Sequence, residues 1–580
     1  MKYEIISTLF DKMEKTSKRL ELIDLLVELF KNTSDNFTQK LVYLIQGELG
    51  PKFEGLEIGI SDKLVLKAIN RVSGISHEDI IDTYKKLGDI GKTAEQCFSN
   101  RSQNILFSKT LLAEDLFNAL KKMSEISGSG ATESKLKILE GLLSISSPIE
   151  TKYITKIITG QLRLGIADYT IMDSLSIAYT NNKSNREYLE KAYNLSSDLG
   201  EIAKKLVFEG IESVKNVKIE LNRPIRPMLA ERLRNSKEIV NRFKEEFAIE
   251  WKIDGERLQI HKNQTMISIF SRRLENITEH YPDVIEYIKK YVKIDKCILE
   301  AEVVAVNPKN NRILPFQELM HRRRKHKIQE AVQKYPVCLY FFDLLYLGTK
   351  EFITKRYIDR RKSLEDIIKN NNNMRIVDSL ITNKQRDIDK EMKRAISNHH
   401  EGLMIKNINS TYRSGAREFS WIKLKNEYNS EYKETIDLAI IGALYGKGRR
   451  TGKYGTYLLA AYDNNENNFY SICKVGSGFT DNDLNEIADL VNKHIVINKP
   501  KNVKTKIITD VWFTPKIVLE IIGSEITLSP IHTVGINYFR KDVGLAVRFP
   551  KFNKKIRLDK TAEDSTTVDD IIETFNNQNN

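Results

Sequence analysis

The chain has 580 residues, enough for about three or four domains at roughly 100–200 residues each. Its 92 Lys and Arg against 78 Asp and Glu leave a net charge of +14, and a basic excess of this size favours a polyanionic partner such as nucleic acid. The N-terminus has no signal-peptide core, and no apolar run approaches the ~18 residues of a membrane span. We therefore expect a soluble cytoplasmic protein without a membrane partner.

The four cysteines are Cys97, Cys297, Cys338 and Cys473. They are far apart and form no C-x-x-C pair, which argues against a zinc ribbon and against a disulfide framework. We expect reduced thiols that are mostly buried.

Residues 1 to 220 have the apolar periodicity of helices. Leu22, Leu25, Leu26 and Leu29 fall at i, i+3, i+4 and i+7. Only two of the twelve prolines lie in this part of the chain. The pattern predicts an all-α domain over residues 1–220.

The sequence pattern changes after NRPIRPMLAERL (222–233), where two closely spaced prolines predict a linker. From 221 to 430, runs rich in β-branched and aromatic residues alternate with polar helical stretches, which predicts an α+β domain. From 431 to 580, strand-like runs separated by Gly or Asn turns predict a small β-barrel, for which the OB-fold is a candidate. The final TFNNQNN is predicted to be a disordered tail.

Two common phosphate-binding motifs are excluded. GKGRRTGKY (446–454) resembles a Walker A loop, but one residue too many follows Gly446, and Tyr454 replaces the required Ser or Thr. We interpret this stretch as a basic Gly-rich hairpin. No G-x-G-x-x-G follows a strand in the N-terminal half, so a dinucleotide-binding fold has no support.

The stretch EWKIDGERLQIHK (250–262) places a lysine between two apolar residues. A free lysine has a pKa near ~10.4, so an amine nucleophile needs desolvation or a local cation to lower that value. Lys252 has apolar neighbours in Trp251 and Ile253, and Arg257 is a nearby cation. A K-x-D-G sequence alone is more often a solvated strand end, but further motifs follow it in order.

Four motifs follow in chain order, SRRLE (271–275), ILEAEVVAV (298–306), EGLMIK (401–406) and WIKLK (421–425). The arginines of the first suit a bidentate grip on phosphate. The alternation of side chains along a strand places Glu300 and Glu302 on one face. It does the same for Lys423 and Lys425. Carboxylates for a hard metal ion and cations for phosphates are what a Mg²⁺-triphosphate site needs.

The ordered set KIDGER, SRR, EAE, PFQELMHRRRK, FFDLLYL, EGLMIK, WIKLK, RFPKF, RLDK and DSTT resembles the ATP-dependent DNA ligases of the archaeal and eukaryotic replicative type. The resemblance extends over about residues 1 to 570. K-x-D-G-x-R alone marks the wider covalent nucleotidyltransferase superfamily, which includes RNA ligases and capping enzymes. The other motifs narrow the resemblance to this group of DNA ligases.

This resemblance implies that Lys252 attacks the α-phosphorus of ATP and holds AMP, which then passes to the 5′-phosphate of a nick in duplex DNA before the 3′-hydroxyl displaces it. It implies that Glu250 accepts the adenine amino group and that Phe342 stacks on the base. The implied nucleotide-binding residues are Glu250, Arg257, Arg272, Glu302, Phe342, Lys406, Arg417, Lys423 and Lys425, of which the three lysines sit on the phosphates. Glu302 and Glu401 are implied to bind the ribose or the metal, which is Mg²⁺ or alternatively Mn²⁺.

Further contacts are implied outside the adenylation region. A C-terminal motif that closes over ATP corresponds to Arg548, Arg557, Asp559 and Lys560, although FPKFNKKIRLDK has one residue more than the family pattern. Arg163 is implied as a DNA phosphate contact. QNILFSKTLL (103–112) sits where archaeal relatives carry a sliding-clamp motif, but it lacks the paired aromatics, so a plain loop is an equal alternative. HRRRKHK (321–327) suits duplex phosphates.

Two other functions are weighed against a DNA ligase. An RNA ligase or capping-type guanylyltransferase is disfavoured by the long helical region and by DSTT, and a DNA-binding scaffold is disfavoured because every catalytic position is intact. The dispersed cysteines argue against NAD⁺ as the donor, since NAD-dependent ligases carry a four-cysteine zinc site. ADP and GTP remain open as donors. We expect a monomer that acts on nicked double-stranded DNA in replication, repair and recombination.

Overall fold

The computed structural model of the chain describes residues 1–99, 110–233, 235–323, 328–398, 400–425, 435–446, 450 and 452–579. The chain divides into two compact units, one made of residues 1–68 and 102–429 and the other of residues 69–101 and 430–580. In the described ranges, no helix combines the length and apolarity that a membrane crossing requires. All four cysteines are free and buried, as their spacing predicts.

The N-terminal region is helical, as its periodicity predicts. Its helices are α1 (Tyr3–Glu14), α2 (Arg19–Lys31), α3 (Asp35–Gln46), α4 (Asp62–Ser73), α5 (His77–Leu87), α6 (Ile90–Ser99), α7 (Ala113–Glu125), α8 (Ala131–Ile145), α9 (Pro148–Ile158), α10 (Asp168–Thr180), α11 (Arg186–Ser196) and α12 (Leu199–Lys215). Leu22, Leu26 and Leu29 are buried in α2. The apolar stripe therefore faces the core.

Strands and helices alternate in the region that follows. They are β1 (Leu229–Arg232), α13 (Ser236–Phe243), β2 (Phe247–Lys252), β3 (Glu256–Asn263), β4 (Met266–Ser271), α14 (Pro282–Tyr291), β5 (Lys296–Ala305), α15 (Phe316–Met320), α16 (Ile328–Lys334), β6 (Val337–Leu347), β7 (Lys350–Glu351), α17 (Tyr357–Ile367), β8 (Met374–Ile376), β9 (Ser379–Thr382), α18 (Gln385–Ser397), β10 (Gly402–Asn407) and β11 (Arg417–Lys425). This mixture agrees with the expected α+β region.

The strands form two sheets that pack face to face. The first sheet has the order β1-β11-β10-β2-β9, and the second has the order β4-β3-β5-β6-β7 with β8 beside β6. One buried cluster joins Ile298 and Leu345 of the second sheet to Trp421 of the first. Helices α13 and α18 cover the outer face of the first sheet, and α14 and α17 pack on the second. The site described below lies on the inner faces.

The predicted linker is held against β3. The side chain of Gln259 accepts a hydrogen bond from the backbone N–H of Ile225 at 2.7 Å and donates to its carbonyl at 3.0 Å. His261 Nδ1 accepts from the backbone N–H of Asn222 at 3.1 Å. These contacts hold the linker against the mixed region within the first unit.

The second unit is mainly a β-sheet. Its elements after residue 430 are β12 (Thr435–Tyr445), β13 (Tyr454–Asp463), β14 (Asn468–Val475), α19 (Asp481–Val491), β15 (Ile495–Val496), β16 (Val503–Lys504), β17 (Val511–Phe513), β18 (Val518–Ile522), β19 (Glu525–Ser529), β20 (Gly544–Arg548), β21 (Lys551–Ile556) and α20 (Val568–Asn579). The main sheet has the order β15-β17-β12-β13-β14-β16, and β18 joins β12 to β21. Strand β12 pairs with β18 over its first half and with β17 over its second, which lets the sheet curl around its core.

The expected disordered tail is instead the end of a helix. Residues 574–579 continue α20. Ile571 of that helix is buried, and the Phe575 ring packs on Phe539 with centroids 4.7 Å apart. Gln578 accepts a hydrogen bond from the backbone N–H of Ile526 at 2.9 Å. The polar composition of the tail concealed these contacts, because only one face of the helix is packed.

Candidate active site

Strand register gathers the predicted lysines on one face of the first sheet. Lys252 on β2 lies opposite Gly402 on β10. Gly402 in turn lies opposite Lys425 on β11. Directly paired residues share a face, and side chains alternate along each strand. The side chains on this inner face therefore include Glu250, Lys252, Met404, Lys406, Lys423 and Lys425.

The opposite face of these strands explains why they fold in this register. A shift of one residue would exchange the two faces, and the outer face is apolar. Its buried residues include Phe247, Ile249, Leu403, Ile405, Ile422 and Leu424, packed against α13 and α18. The apolar core thus fixes which lysines point into the site.

Lys252 is paired with a carboxylate. Its Nζ lies 2.5 Å from Glu401 Oε2, and Lys425 Nζ lies 3.1 Å from the same oxygen. Burial opposes ionisation of Glu401, but the charges of Lys252 and Lys425 and the hydrogen bonds from Lys252 and Asp254 together lower the pKa of this carboxyl to about 2. Lys252 remains partly exposed, with 24% of its side chain accessible. The predicted nucleophile and the predicted metal ligand are therefore immediate neighbours.

Two glycines allow the strands to approach at this point. Gly402 has φ of +140°, and a Cβ there would collide with the carbonyl oxygen of Leu424 and the Cα of Lys425. A Cβ on Gly255 would collide with the Val303 carbonyl oxygen on β5. Both positions favour glycine because backbone passes too close for a side chain. The glycines of KIDGER and EGLMIK thus set the separation of the strands around Lys252.

Glu250 and Lys406 form a buried pair. Lys406 Nζ lies 2.6 Å from Glu250 Oε2, and their side chains are 1% and 2% exposed. Tyr357 donates its hydroxyl to Glu250 Oε1, and Arg361 Nη1 donates to the same oxygen at 3.5 Å. The sequence did not indicate this pair; the expected contacts of Glu250 with adenine and of Lys406 with the phosphates stay predictions. Both side chains are engaged with each other because their strands are neighbours in the sheet.

Aromatic rings surround the same amine. Lys406 Nζ lies 5.0 Å from the ring centroid of Phe342 and 4.5 Å from that of Trp421. The two rings meet edge to face at a centroid distance of 6.2 Å. Lys406 Nζ also donates to the Phe342 carbonyl at 3.2 Å. Phe342 is only partly buried, so the predicted stacking ring borders this aromatic and cationic group.

Arg257 is fixed by the second sheet. Its Nη2 lies 2.9 Å from both carboxylate oxygens of Glu300, a bidentate geometry that restricts the guanidinium. Its Nη1 donates to the Met228 carbonyl at 2.8 Å, and Nη2 also meets the Tyr412 hydroxyl at 3.1 Å. The guanidinium lies 5.4 Å from the Phe342 ring centroid. Glu300 and Tyr412 therefore position the predicted nucleotide-binding arginine.

Glu302 lies opposite Arg257 in the β3–β5 register. Burial raises the pKa of Glu302 to about 7, although Lys252 and Arg257 oppose this effect. The carboxylate of Glu401 also contributes to the raised pKa. Across the described residues, no group of three His, Cys, Asp or Glu side chains is arranged to hold a metal ion. The predicted metal ligands are thus a pair of carboxylates near Lys252.

Cations are concentrated around Lys423. Burial lowers the pKa of Lys423, and so do neighbouring positive charges. These charges are, in decreasing order of effect, Arg232, Arg417, Arg272 and Lys252. The structure therefore brings the predicted Arg272 and Arg417 into the electrostatic neighbourhood of the phosphate-binding lysine.

Several residues at this site were not found from the sequence. Trp421 begins WIKLK, and strand alternation would have placed it on the face of Lys423. Tyr357 and Arg361 are four residues apart on α17, a spacing that puts them on one helix face without indicating what they contact. The sequence put Glu300 on the same strand face as Glu302 but did not indicate that it pairs with Arg257. No sequence pattern marked Arg232, because its position depends on the pairing of β1 with β11.

The whole chain is similar to known proteins. Family models match residues 2–176 as DNA ligase N terminus, residues 227–425 as ATP dependent DNA ligase domain and residues 450–560 as ATP dependent DNA ligase C terminal region. A DNA ligase of Nitrosopumilus maritimus is 44% identical over 578 residues, covering 100% of this chain and 98% of that protein. The chain belongs to the ATP-dependent DNA ligase family.

Other relatives agree with this assignment. DNA ligase 2 of Korarchaeum cryptofilum is 43% identical over 580 residues, covering 100% of this chain and 98% of that protein. A solved structure named Pmar-Lig_PreS3 shares the fold, with a TM-score of 0.57, 17% identity, and coverage of 95% of this chain and 99% of that one. The prediction of an ATP-dependent DNA ligase is confirmed.

In the second unit of this ligase, two residues of the predicted C-terminal motif converge on Asp437. Arg557 Nη1 lies 2.5 Å from Asp437 Oδ2, and Lys560 Nζ lies 2.8 Å from the same oxygen. Arg557 also binds Asp559 through Nε at 2.9 Å and Nη2 at 2.8 Å. Asp437 therefore holds two of the three cations of the motif.

Arg548 has a different partner. It lies opposite Glu525 in the β19–β20 pair, and its guanidinium forms an ion pair with that carboxylate. The guanidinium also lies 4.9 Å from the Phe549 ring centroid. The Phe549 side chain is 70% exposed. Of the four motif residues, Arg548 is thus held by a separate carboxylate.

The predicted DNA contacts of this ligase fall in the first unit. Arg163 is exposed and lines a cavity of about 520 Å³ together with Arg226, Arg272 and Arg273. Arg226 is paired with Asp168 at 3.2 Å. This cavity joins the helical region to the loop that follows β4. A concentration of arginines suits phosphate contacts.

Two predicted interaction segments are only partly described. Residues 103–109 of the sliding-clamp candidate and residues 324–327 of HRRRKHK lie outside the described residues. Arg322 is fully buried and binds Asp283 at 2.5 Å, and Arg323 pairs with Glu256. Arg322 was expected to suit duplex phosphates, but its burial against Asp283 shows that it stabilises the fold instead. Arg323 is 34% exposed, and its expected phosphate contact stays a prediction.

Proposed function

We propose that Lys252 is the residue that carries AMP in this DNA ligase. Its Nζ attacks the α-phosphorus of ATP, the bond to the bridging oxygen breaks, and pyrophosphate leaves with the bonding electrons. AMP held on Lys252 is then transferred to the 5′-phosphate at a nick in duplex DNA. The 3′-hydroxyl attacks that phosphorus, forms the phosphodiester and releases AMP.

The observation that carries this proposal is the common face of Lys252, Lys423 and Lys425. An amine nucleophile must be placed within reach of a phosphorus while other cations hold the remaining phosphate charge. Glu401 lies between two of these amines, which fixes their positions before ATP binds. The arginines near Lys423 extend the positive region along the sheet.

We assign the base and sugar end of the nucleotide to the other half of the inner face. Phe342 is proposed to stack on adenine, with Lys406 and its partner Glu250 forming the wall of the base pocket. Arg257, held by Glu300, is proposed to bind the nucleotide beside Glu302. Arg272, Arg417, Lys423 and Lys425 are proposed to bind the phosphates.

The residues present fit a divalent metal ion. Mg²⁺ prefers oxygen ligands and usually combines one or two carboxylates with substrate phosphates and waters, so Glu302 and Glu401 would suffice as its protein ligands. When bound, the metal would neutralise charge on the triphosphate. Mn²⁺ has the same ligand preferences and is an alternative.

We further propose three domains, a helical DNA-binding domain over 1–220, an adenylation domain over 221–430 and an OB-fold domain over 431–580. The three family matches and the curled sheet of the second unit support this division. Arg163 is proposed to contact a DNA phosphate. The proposed molecule is a cytoplasmic monomer. A sliding-clamp contact is proposed only for residues 103–112.

Labelling tests the proposal directly. The protein is mixed with α-³²P-ATP and Mg²⁺, denatured and separated, and label on the polypeptide is measured. We expect labelling of the wild type and of Lys350→Ala, whose exposed lysine lies outside the site, and none of Lys252→Ala. Labelling of Lys252→Ala at the wild-type level would disprove the proposal.

The substrate is tested with the labelled protein. Nicked duplex DNA should remove the label and be sealed, whereas a nicked RNA duplex should leave it on the protein. Replacement of ATP by ADP, GTP or NAD⁺ in the first step identifies the donor, and we expect NAD⁺ to be inactive. Discharge onto RNA alone would contradict assignment to DNA.

A further inference from the structure

The edge of the first sheet carries a cation that the family motifs do not include. Arg232 is the last residue of β1 and its side chain is exposed. Strand β1 runs parallel to β11, and Leu229 pairs with Arg417 at its start. This pairing places β1 directly beside the strand that carries Lys423 and Lys425.

An irregularity in this pairing determines where Arg232 lies. The register shifts between Ala230 and Glu231, after which Arg232 lies opposite Lys423. An unshifted register from Leu229 would have placed Arg232 opposite Ser420. Because paired residues share a face, Arg232 lies on the face of Lys423 and of the nucleotide site. Ala230, two residues earlier on β1, packs beside Trp421 on the same face. Irregularities of this kind often re-aim a side chain next to an active site.

The electrostatics agree with this placement. Among the neighbouring charges, Arg232 has the largest lowering effect on the pKa of Lys423, ahead of Arg417 and Arg272. Like charges held this close repel one another, and an anion bound among them relieves the repulsion. The cluster is therefore suited to a highly charged phosphate group.

The position along the sheet indicates which phosphate. Strand order is β1-β11-β10-β2, so Arg232 and Lys252 are three strand spacings apart, roughly 14 Å at about 4.8 Å each. Lys252 bonds to the α-phosphorus. A side chain on β1 that reaches inward meets the phosphates beyond the α-phosphorus. These are the β- and γ-phosphates, which leave as pyrophosphate.

We propose that Arg232, together with Lys423, binds the β- and γ-phosphates of ATP and stabilises pyrophosphate as it departs. This inference rests on the proposed role of Lys252. As the Nζ–P bond forms and the P–O bond breaks, negative charge grows on the departing oxygen, and the guanidinium donates N–H bonds to pyrophosphate. The lysine-bound AMP has no β- or γ-phosphate, so Arg232 takes no part in the two later steps.

The first test is the ATP dependence of self-adenylation. Loss of a hydrogen bond to a charged group costs about tenfold to hundredfold in binding, so Arg232→Ala should need that much more ATP or lose that factor in rate. Arg232→Lys should recover part of the loss, since lysine keeps the charge without the planar fork. The control is Arg386→Ala, which removes a 78% exposed arginine on α18, the helix on the opposite side of the sheet. We expect it to change the rate less than twofold.

The second test bypasses ATP. A nick that already carries 5′-AMP is sealed without ATP or pyrophosphate, and Arg232→Ala should seal it within about twofold of the wild-type rate. In the reverse direction, purified protein carrying AMP is mixed with pyrophosphate and the ATP formed is measured. Arg232→Ala should need about tenfold more pyrophosphate or above.

The outcomes separate this inference from the proposed function. If Lys252→Ala is labelled by ATP, the proposed function fails whatever Arg232→Ala does. If Lys252→Ala is unlabelled and Arg232→Ala labels normally, only the inference about Arg232 fails. An equal loss in self-adenylation and in sealing of the adenylated nick would also overturn it, because it would indicate a DNA contact or a general role in folding.

Discussion

At the residue scale, the ion pair of Glu250 and Lys406 is almost fully buried in the site. The two come from different motifs, EWK and EGLMIK, separated by more than a hundred residues. Strand register makes them diagonal neighbours, since Glu250 lies opposite Met404 and Ala248 lies opposite Lys406. Burial lowers the pKa of Lys406, and Glu250 opposes that shift. Glu250 therefore helps to keep Lys406 charged.

Breaking this pair should cost more than removing it whole. Deletion of one partner leaves a buried charge without compensation and destabilises a protein by about 3–5 kcal/mol, while replacement of both partners is often much milder. We expect Glu250→Gln and Lys406→Met each to lower the free energy of unfolding by about this amount. The double variant should be less destabilised than the sum of the two.

Urea unfolding followed by tryptophan fluorescence measures this cycle, because Trp251 and Trp421 both lie in the first sheet. Lys350→Met is the control for loss of an exposed lysine and should leave unfolding unchanged. Additive effects of the two single substitutions would show that the charges do not interact.

At this scale the sequence predicts what depends on one strand. The alternation within WIKLK puts Lys423 and Lys425 on one face, as the strand register has them. The pairing of Glu250 with Lys406 was not predicted, because it is set by register between strands that are distant in the chain. A register cannot be read from either strand alone.

At the element scale, the linker between the helical region and the first sheets depends on a buried histidine. His261 Nδ1 accepts from the backbone of Asn222, so the ring proton is on Nε2, which lies 2.9 Å from Gln259 Oε1. Burial lowers the pKa of His261 to about 3. Only the neutral ring can accept the linker hydrogen bond.

This histidine should make the fold sensitive to acid. Its folded-state pKa lies below the ordinary value of ~6.5, so the unfolded chain binds a proton that the folded chain does not. Stability from His261 is full above pH ~6.5 and is lost as the pH falls toward about 3. Between pH 7 and pH 5 the loss should be about 2 kcal/mol.

The measurement compares urea unfolding of the wild type and His261→Gln at pH 7, 6 and 5. As the pH falls over this range, the free energy of unfolding of the wild type should decrease by about 2 kcal/mol relative to that of His261→Gln. His77→Gln replaces an exposed histidine on α5. Its free energy of unfolding should change with pH in the same way as that of the wild type. A constant difference between wild type and His261→Gln would contradict the assignment.

The helices and strands themselves were largely predictable, but the way in which they dock and pair with one another was not. Periodicity located the helices of the first 220 residues, and β-branched runs located the strands. The docking of the linker depends on Gln259 and His261, polar residues in the middle of a strand that only a buried partner explains. The shift between Ala230 and Glu231 leaves no mark in the sequence either, since a bulge is defined by two paired strands.

At the scale of the whole molecule, the residues proposed for catalysis are divided between two units. The first unit contains Lys252 and the cations around it. The second contains Arg557 and Lys560, which are both held by Asp437. The self-adenylation step takes place on a bound triphosphate, and the later steps take place on bound DNA. Residues that bind only the triphosphate should therefore matter in the first step alone.

This division gives a prediction for Arg557. If it binds the triphosphate, Arg557→Ala should slow self-adenylation by about tenfold or more and leave the sealing of a nick that already carries 5′-AMP within about twofold. The control is Arg540→Ala, which removes an exposed arginine of the same unit and should affect neither reaction. Because Arg557 also bridges Asp437 and Asp559, thermal unfolding of the variant must be followed through Trp512 on β17. An intact second unit with a loss confined to self-adenylation would tie Arg557 to the triphosphate, whereas equal losses in both reactions would show that it serves the fold or the DNA.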